Sequence, residues 1–406
     1  MKERNYTIEF YRAMFAINFV VIHCLMVFPI AFFNGFPLYV SALDIIIPFM
    51  AFSGYFMMAG YKKKQARGQL EGVSAGAQAL GYLKTRLFAL MPLTLFANLL
   101  GFVAKNIWQD IPLRDWPVHL LNAVSEFSGM FIAGLGFGNP SVGMWGEGSR
   151  VLQIANTPLW FMSGIFVVGY FVYYLIAKNE KLFSYLIAPA AIILFYGSNY
   201  QSSAVPMWYD IHSIGSFNYA MGVPLMFVGL SIGALLWYPV EALKNKKFSK
   251  GMTVFLTIVQ IILTFVILVR TWVPTTSAFG KWFNIGWVNV HLLSIAFSFL
   301  VLLNKDYCTR FPLFSSKIWA LPGRLALYVY AIHFPLITFI SMAMGLKGQV
   351  LSVETVGTMA PKLILLTIIT EIVAHILGYF LMQFDQKVLQ PWLKSSPWFA
   401  KEEKVQ

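Results

Sequence analysis

EFYRAMFAINFVVIHCLMVF, residues 9–28, is an apolar stretch that carries two ionisable side chains, Arg12 and His23. The run is long enough for a helix that spans a bilayer, which needs about 20 predominantly apolar residues. At about 100° per residue, the eleven-residue separation leaves Arg12 and His23 within roughly 20° of one helix face and about 16 Å apart along the axis. A guanidinium then lies at one membrane surface and an imidazole on the same stripe about half a bilayer deeper. Ionisable groups in lipid are costly and mark functional sites. The spacing predicts a site that opens at the surface and ends inside.

The rest of the chain agrees with that environment. Of 406 residues, 58% are hydrophobic and only 12% charged, with a mean hydropathy of +0.67. Soluble domains carry about 25% charged residues. The net charge of +13 would point to nucleic acid in a soluble protein. Here it is read as loop and headgroup charge, with membrane lipids and no nucleic acid as partners. The two cysteines, Cys24 in the first apolar run and Cys308 in a polar loop, suggest no disulfide framework. The first run is too long for a signal-peptide core and is read as a retained helix.

Ten apolar segments are predicted as membrane helices: 13–33, 38–61, 87–104, 158–177, 182–196, 219–238, 252–272, 285–303, 325–345 and 361–382. The fold expected is all-α, with a transmembrane domain over 1–382 and a charged tail over 383–406. A loop rich in Gly, Ala and Gln is expected between Lys64 and Tyr82. An amphipathic helix from Asp115, with Leu120, Leu121, Val124, Phe127 and Phe131 on one side, is expected to lie in the interface. With the N-terminus inside, only Lys105, Arg114, Arg150, Arg270, Lys281, Lys347 and Lys362 fall outside. The other 23 of the 30 basic residues fall inside. That asymmetry predicts cytoplasmic termini.

Several stretches together resemble one family. Arg12, ten residues, then His23 resembles the first-helix signature of the acyltransferase-3 family of integral-membrane acyltransferases. DIIIPFMAFSGYFM (44–57) is similar to its second-helix motif, and YLKTRLFALMPL (82–93) to its basic lead-in to the third. PLWFMSGIFVVGYFVY (158–173) and YVYAIHFPL (328–336) are similar to its Leu-Trp-Phe and late Tyr-x-x-His-x-Pro segments. Ala89 stands where relatives commonly carry a further Arg. The Leu-Trp segment lacks the Glu found in many relatives with fused domains. The likeness is therefore to the stand-alone branch of polysaccharide acetylases and glucan succinylases.

The resemblance implies transfer of an acyl group, usually acetyl from cytoplasmic acetyl-CoA, to a hydroxyl of a cell-envelope glycan or lipid-linked sugar in the bacterial inner membrane. The residues suit that chemistry. Arg12, Lys84 and Arg86, with Lys62, Lys63 and Lys64 nearby, would form a cationic mouth for the CoA phosphates. The pantetheine arm would run up the stripe and deliver its thioester near His23. There the imidazole either takes a proton from the acceptor hydroxyl or attacks the thioester itself. Asp44 would orient His23 or stabilise its protonated form.

On the acceptor side, His333 and the outer-loop residues Trp208 and Asp210, with Tyr209, His212 and Trp145, are candidates for sugar binding or for an interfacial aromatic belt. Ser53 and Gly54 are read as a small-residue packing site. Glu371 and His375, four residues apart, are read as a structural pair, and His119 and His291 as structural. No metal-ligand spacing stands out. The alternative reading is a proton-coupled transporter or flippase, against which no repeat between halves is seen. A non-catalytic subunit of a glycan-export complex is a third.

Overall fold

The computed structural model describes residues 5–26, 43–117, 120, 156–199, 211–214, 217–220, 222–272, 287–349 and 356–395. Each of the ten expected apolar segments contains a helix. They are α1 (Tyr6–Met26), α2 (Leu43–Gln65), α3 (Ala75–Trp108), α4 (Trp160–Lys178), α5 (Ala188–Asn199), α6 (Gly222–Lys244), α7 (Lys250–Trp272), α8 (Trp287–Leu303), α9 (Ala320–Ala343) and α10 (Val356–Phe384). A short helix, Glu180–Leu182, and a π-helical turn, Phe183–Ile187, lead into α5. Among the described residues, eight helical segments are long and apolar enough by length and composition to cross a membrane. α2 and the 17-residue α8 are not among them.

Among the boundaries that differ from expectation, three have a local cause. α1 begins earlier because Asn5 caps it, its side-chain oxygen accepting from the Thr7 N–H at 3.1 Å. α3 also begins earlier. The Gly, Ala and Gln stretch expected to be a loop up to Tyr82 is helical from Ala75, capped by Ser74 Oγ. Alanine and glutamine favour a helix once the first turn is capped. The tail after 382 is no break, since α10 runs to Phe384 and continues through Asp385–Leu389 to Gln390–Ser395. Gln390 there donates to the Phe88 carbonyl of α3 at 3.1 Å.

Among the described residues, the all-α expectation holds apart from one short hairpin. β1 (Ile211–Ile214), in the expected loop, pairs antiparallel with β2 (Phe217–Ala220), whose last two residues were expected to open the sixth helix, Ile211 opposite Ala220. Of the interfacial helix expected from Asp115, only the start is among the described residues.

α1 packs mainly on α9, and α2 on α6. The second crossing is a backbone contact. A Cβ on Gly54 would stand 2.0 Å from the Leu230 carbonyl oxygen, and one on Gly233 2.0 Å from that of Ala51. Only glycine fits, as the packing reading of Gly54 expects.

Polar contacts gather at one end of the bundle. Glu180 accepts from Lys62 Nζ and from Tyr238 OH at 2.6 Å each. Tyr328 OH donates to Asp385 at 2.6 Å, and Thr7 to the Thr309 carbonyl at 2.5 Å. At the other end Lys347 pairs with Asp110 at 2.5 Å.

Large apolar side chains stand exposed along α7 (Phe255, Ile258, Ile261, Ile262) and α10 (Ile364, Ile368, Ile372, Ile376). Patches of that extent are not left to water. They suit contact with lipid, where helices associate by close packing rather than by burying apolar surface. The chain is read as a membrane protein on these grounds.

Candidate active site

His23 and His333 meet. α1 and α9 bring His23 Nδ1 to 2.7 Å from His333 Nε2, with ring centroids 4.8 Å apart. His333 is fully buried, while His23 keeps some accessible surface. His333 Nδ1 lies 2.7 Å from the Tyr330 carbonyl oxygen and 3.2 Å from that of Val329. Both are acceptors only, so Nδ1 of His333 carries the proton. With the rings neutral, His333 Nε2 is then a lone pair, and His23 Nδ1–H must donate to it. This assignment follows from the hydrogen-bond network. It leaves Nε2 of His23 as the free basic nitrogen. Phe19 lies nearly parallel to the His23 ring at 6.3 Å, and Phe334 meets its edge at 5.8 Å.

Below the pair, a cavity of about 340 Å³ opens between α1, α2, α3, α4 and α9. Its lining includes the cations Arg12 and Arg86 and the hydroxyl residue Ser53. Further in, the walls are aromatic and aliphatic: Phe49, Phe52, Phe161, Met162 and Leu327 among them. Phe19 and Tyr330 lie at the inner end. Phe19 is shared, lining the cavity and facing His23. Tyr330 sits edge-on to Phe19 at 5.4 Å, its hydroxyl donating to the Pro158 carbonyl at 2.5 Å. The volume is within the usual range for small-molecule sites. Two guanidiniums before an apolar bore suit an anionic head with a long thin arm.

The three cations expected at the mouth are not equivalent. Arg12 and Arg86 line the cavity, whereas Lys84 is exposed and absent from the lining. Two residues of helix turn the side chain by about 200°, so Lys84 and Arg86 cannot share a face. Arg86 lies over the Tyr82 ring at 5.3 Å, and Tyr82 stacks on Tyr173 at 4.8 Å. Lys62 is held by Glu180 and lies over Trp237.

Arg12 has a partner that the sequence reading did not name: Nη1 lies 3.4 Å from Glu9 Oε2. Glu9 is itself buried, fitted against Gly323 of α9, where a Cβ would stand 2.3 Å from that oxygen. The signal for Glu9 was its i, i+3 spacing to Arg12. Asn156 carries no motif that marks it in the sequence. Its side-chain amide donates to the Ala97 carbonyl at 3.1 Å and the Ala331 carbonyl at 2.8 Å, tying the start of α4 to α3 and α9 close to His333.

Among the remaining candidates, Asp44 stands in the first turn of α2, two residues before Ile46 of the cavity lining, and its side chain is outside the described part. Trp208, Tyr209, Asp210 and Trp145 lie outside the described residues. His212 is on β1. His333, a candidate for the acceptor side, is the hydrogen-bond partner of His23. Glu371 and His375 form the expected pair, 3.4 Å apart. Comparison of the chain with protein-family models, with curated proteins and with solved structures returns no match, so the likeness to the acyltransferase-3 family rests on the motifs quoted above.

Proposed function

We propose that this protein is a ten-helix membrane O-acyltransferase with cytoplasmic termini. It moves an acyl group, acetyl from acetyl-CoA, to a hydroxyl of a cell-envelope glycan or lipid-linked sugar. The observation that carries the reading is the His23–His333 pair one helical turn beyond a cavity whose mouth holds Arg12 and Arg86. Phosphate groups of the donor rest on these two guanidiniums, which pair with such oxygens in bidentate fashion. The arm follows the aromatic bore past Phe19 and places the thioester carbonyl at His23 Nε2. That nitrogen takes the proton of the acceptor hydroxyl as the new C–O bond forms, and returns it to the departing CoA sulfur. In the alternative sequence, Nε2 itself receives the acyl group and passes it on. His333 holds the His23 tautomer that keeps Nε2 unprotonated, the positioning role a carboxylate plays beside other catalytic histidines.

The test is acetyl-CoA turnover by protein in vesicles, with and without an envelope-glycan extract. CoA release that depends on the extract and disappears in His23→Ala is expected. Release at the wild-type rate from His23→Ala would falsify the assignment of His23.

A further inference from the structure

Arg270 lies in the last turn of α7 and is not used by the chemistry above. It is 7% exposed. Among the described residues, its buried Nε and Nη1 have no hydrogen-bond partner and no carboxylate pairs with it. A guanidinium keeps its charge at any working pH, and a buried charge without a partner is costly. Three ordinary explanations fail on the geometry. An arginine that snorkels freely to water would be exposed, whereas here Nη2 alone is not among the buried nitrogens without a partner and the residue is 7% exposed. A guanidinium capping its own helix would donate to the last carbonyls, and these nitrogens donate to none. The helix dipole offers only about half a unit of charge.

The position is informative as well. Arg270 is twenty residues along α7 from Lys250, about 30 Å. The start of α7 is tied to the loop between α8 and α9, where Thr257 accepts from the Tyr307 N–H at 2.9 Å. Thr7, at the start of α1, donates to the Thr309 carbonyl in that same loop. Arg12 and the cavity mouth are therefore at one end of the bundle and Arg270 at the other.

We propose that Arg270 receives an anionic group, a carboxylate or phosphate, carried by the acceptor sugar at the face opposite the CoA mouth. This rests on the acyltransferase reading for the identity of the acceptor. Planar oxyanions match the guanidinium fork, and a neutral sugar would leave the charge uncompensated.

The experiment uses the full chain in phosphatidylcholine nanodiscs and follows the unfolding midpoint. Methyl glucuronide and inorganic phosphate are the anionic probes, and methyl glucoside the neutral control. Both anions are expected to raise the wild-type midpoint by about 2 °C or more near saturation, and the glucoside to leave it unchanged. Arg270→Gln loses the rise. Arg270→Lys, which keeps the charge and loses the fork, retains less than half of it and serves if the glutamine variant does not fold. An equal rise in Arg270→Gln, or with the glucoside, overturns the proposal. So does a rise on adding phosphatidylglycerol to the discs with none from methyl glucuronide, which would make the occupant a lipid headgroup. CoA titration of the same samples separates the two readings. Arg270→Gln should bind CoA within twofold of wild type. Absence of CoA binding in the wild type would remove the acyltransferase reading while the glucuronide result still judged the anion site.

Discussion

His23 owes its proposed chemistry to a neighbour 310 residues away. If His333 fixes the His23 tautomer, His333→Ala should lower acetyl-CoA turnover by roughly 10²-fold, the scale of a lost general-base contribution. CoA affinity should stay within twofold, since neither ring lines the cavity. A fall in affinity matching the fall in turnover would return His333 to substrate binding. The cations offer a contrast. Arg12→Ala and Arg86→Ala should each weaken CoA about tenfold or more, as the loss of one charge-assisted contact does. Lys84→Ala should change it little. Equal losses at all three positions, measured by titration, would mean the donor sits elsewhere. Arg12 and His23 were legible as residues because their stripe follows from helix geometry alone. His333 was not legible as the partner of His23, because a contact between α1 and α9 has no local sequence signal, whereas Glu9 carried one in its i, i+3 spacing to Arg12.

At the scale of the element, the α2–α6 crossing is the most demanding. Gly54→Ala would drive a methyl into the Leu230 carbonyl, and overpacking of that kind costs about 1–3 kcal/mol. The expected result is a lower unfolding midpoint in detergent, with Gly60→Ala, which meets nothing within 4 Å, as the silent control. An unchanged midpoint for Gly54→Ala would mean that the helices do not cross so closely. The start of α3 shows how an element escapes a sequence reading. Its first turns, AGAQALG, are two glycines among small residues that look like a loop, yet the Ser74 cap and the docking of Tyr82 on Tyr173 make them helix. The end of α9 was legible within two residues. Gly345 there takes φ +65°, and the Leu346 N–H reaches back to the Ser341 carbonyl at 2.8 Å, a helix stop that glycine provides.

For the whole molecule, the charge asymmetry makes a topological prediction. Cys308 lies in the loop between α8 and α9, at the end proposed as cytoplasmic, and Lys347 at the other. A membrane-impermeant maleimide added to intact cells should label Lys347→Cys in a background lacking the native cysteines, and should not label Cys308 in the native chain. In inverted vesicles the pattern reverses. Cys308 should react slowly there at neutral pH and faster as the pH rises. Burial, and then the neighbouring Asp306, push its thiol above the ordinary range, with the Tyr11 contact working in the opposite direction. The thiolate is the reactive form, so a raised value means less of it at pH 7. Labelling of Cys308 from outside intact cells would invert the orientation and place the Arg12 mouth on the outer face.

Hydrophobic runs of about 20 residues, broken by turn-forming and basic segments, were enough by themselves to locate the helices, eight of them long and apolar enough to cross a membrane among the described residues. Run length and the cost of unpaired backbone in lipid act locally along the chain. The i, i+11 stripe of Arg12 and His23 belongs to the same kind of reading. Only the tertiary structure decided that His333 meets His23, that Arg86 and not Lys84 lines the cavity with Arg12, and that Glu9 fits against Gly323 of α9. It also placed a short hairpin across the expected boundary between a loop and the sixth helix. Those outcomes depend on which helix faces meet and how closely their backbones approach. In a bilayer nearly every face is apolar, so hydrophobic pattern carries little of that information, and packing shape together with the pairing of a few polar groups supplies it.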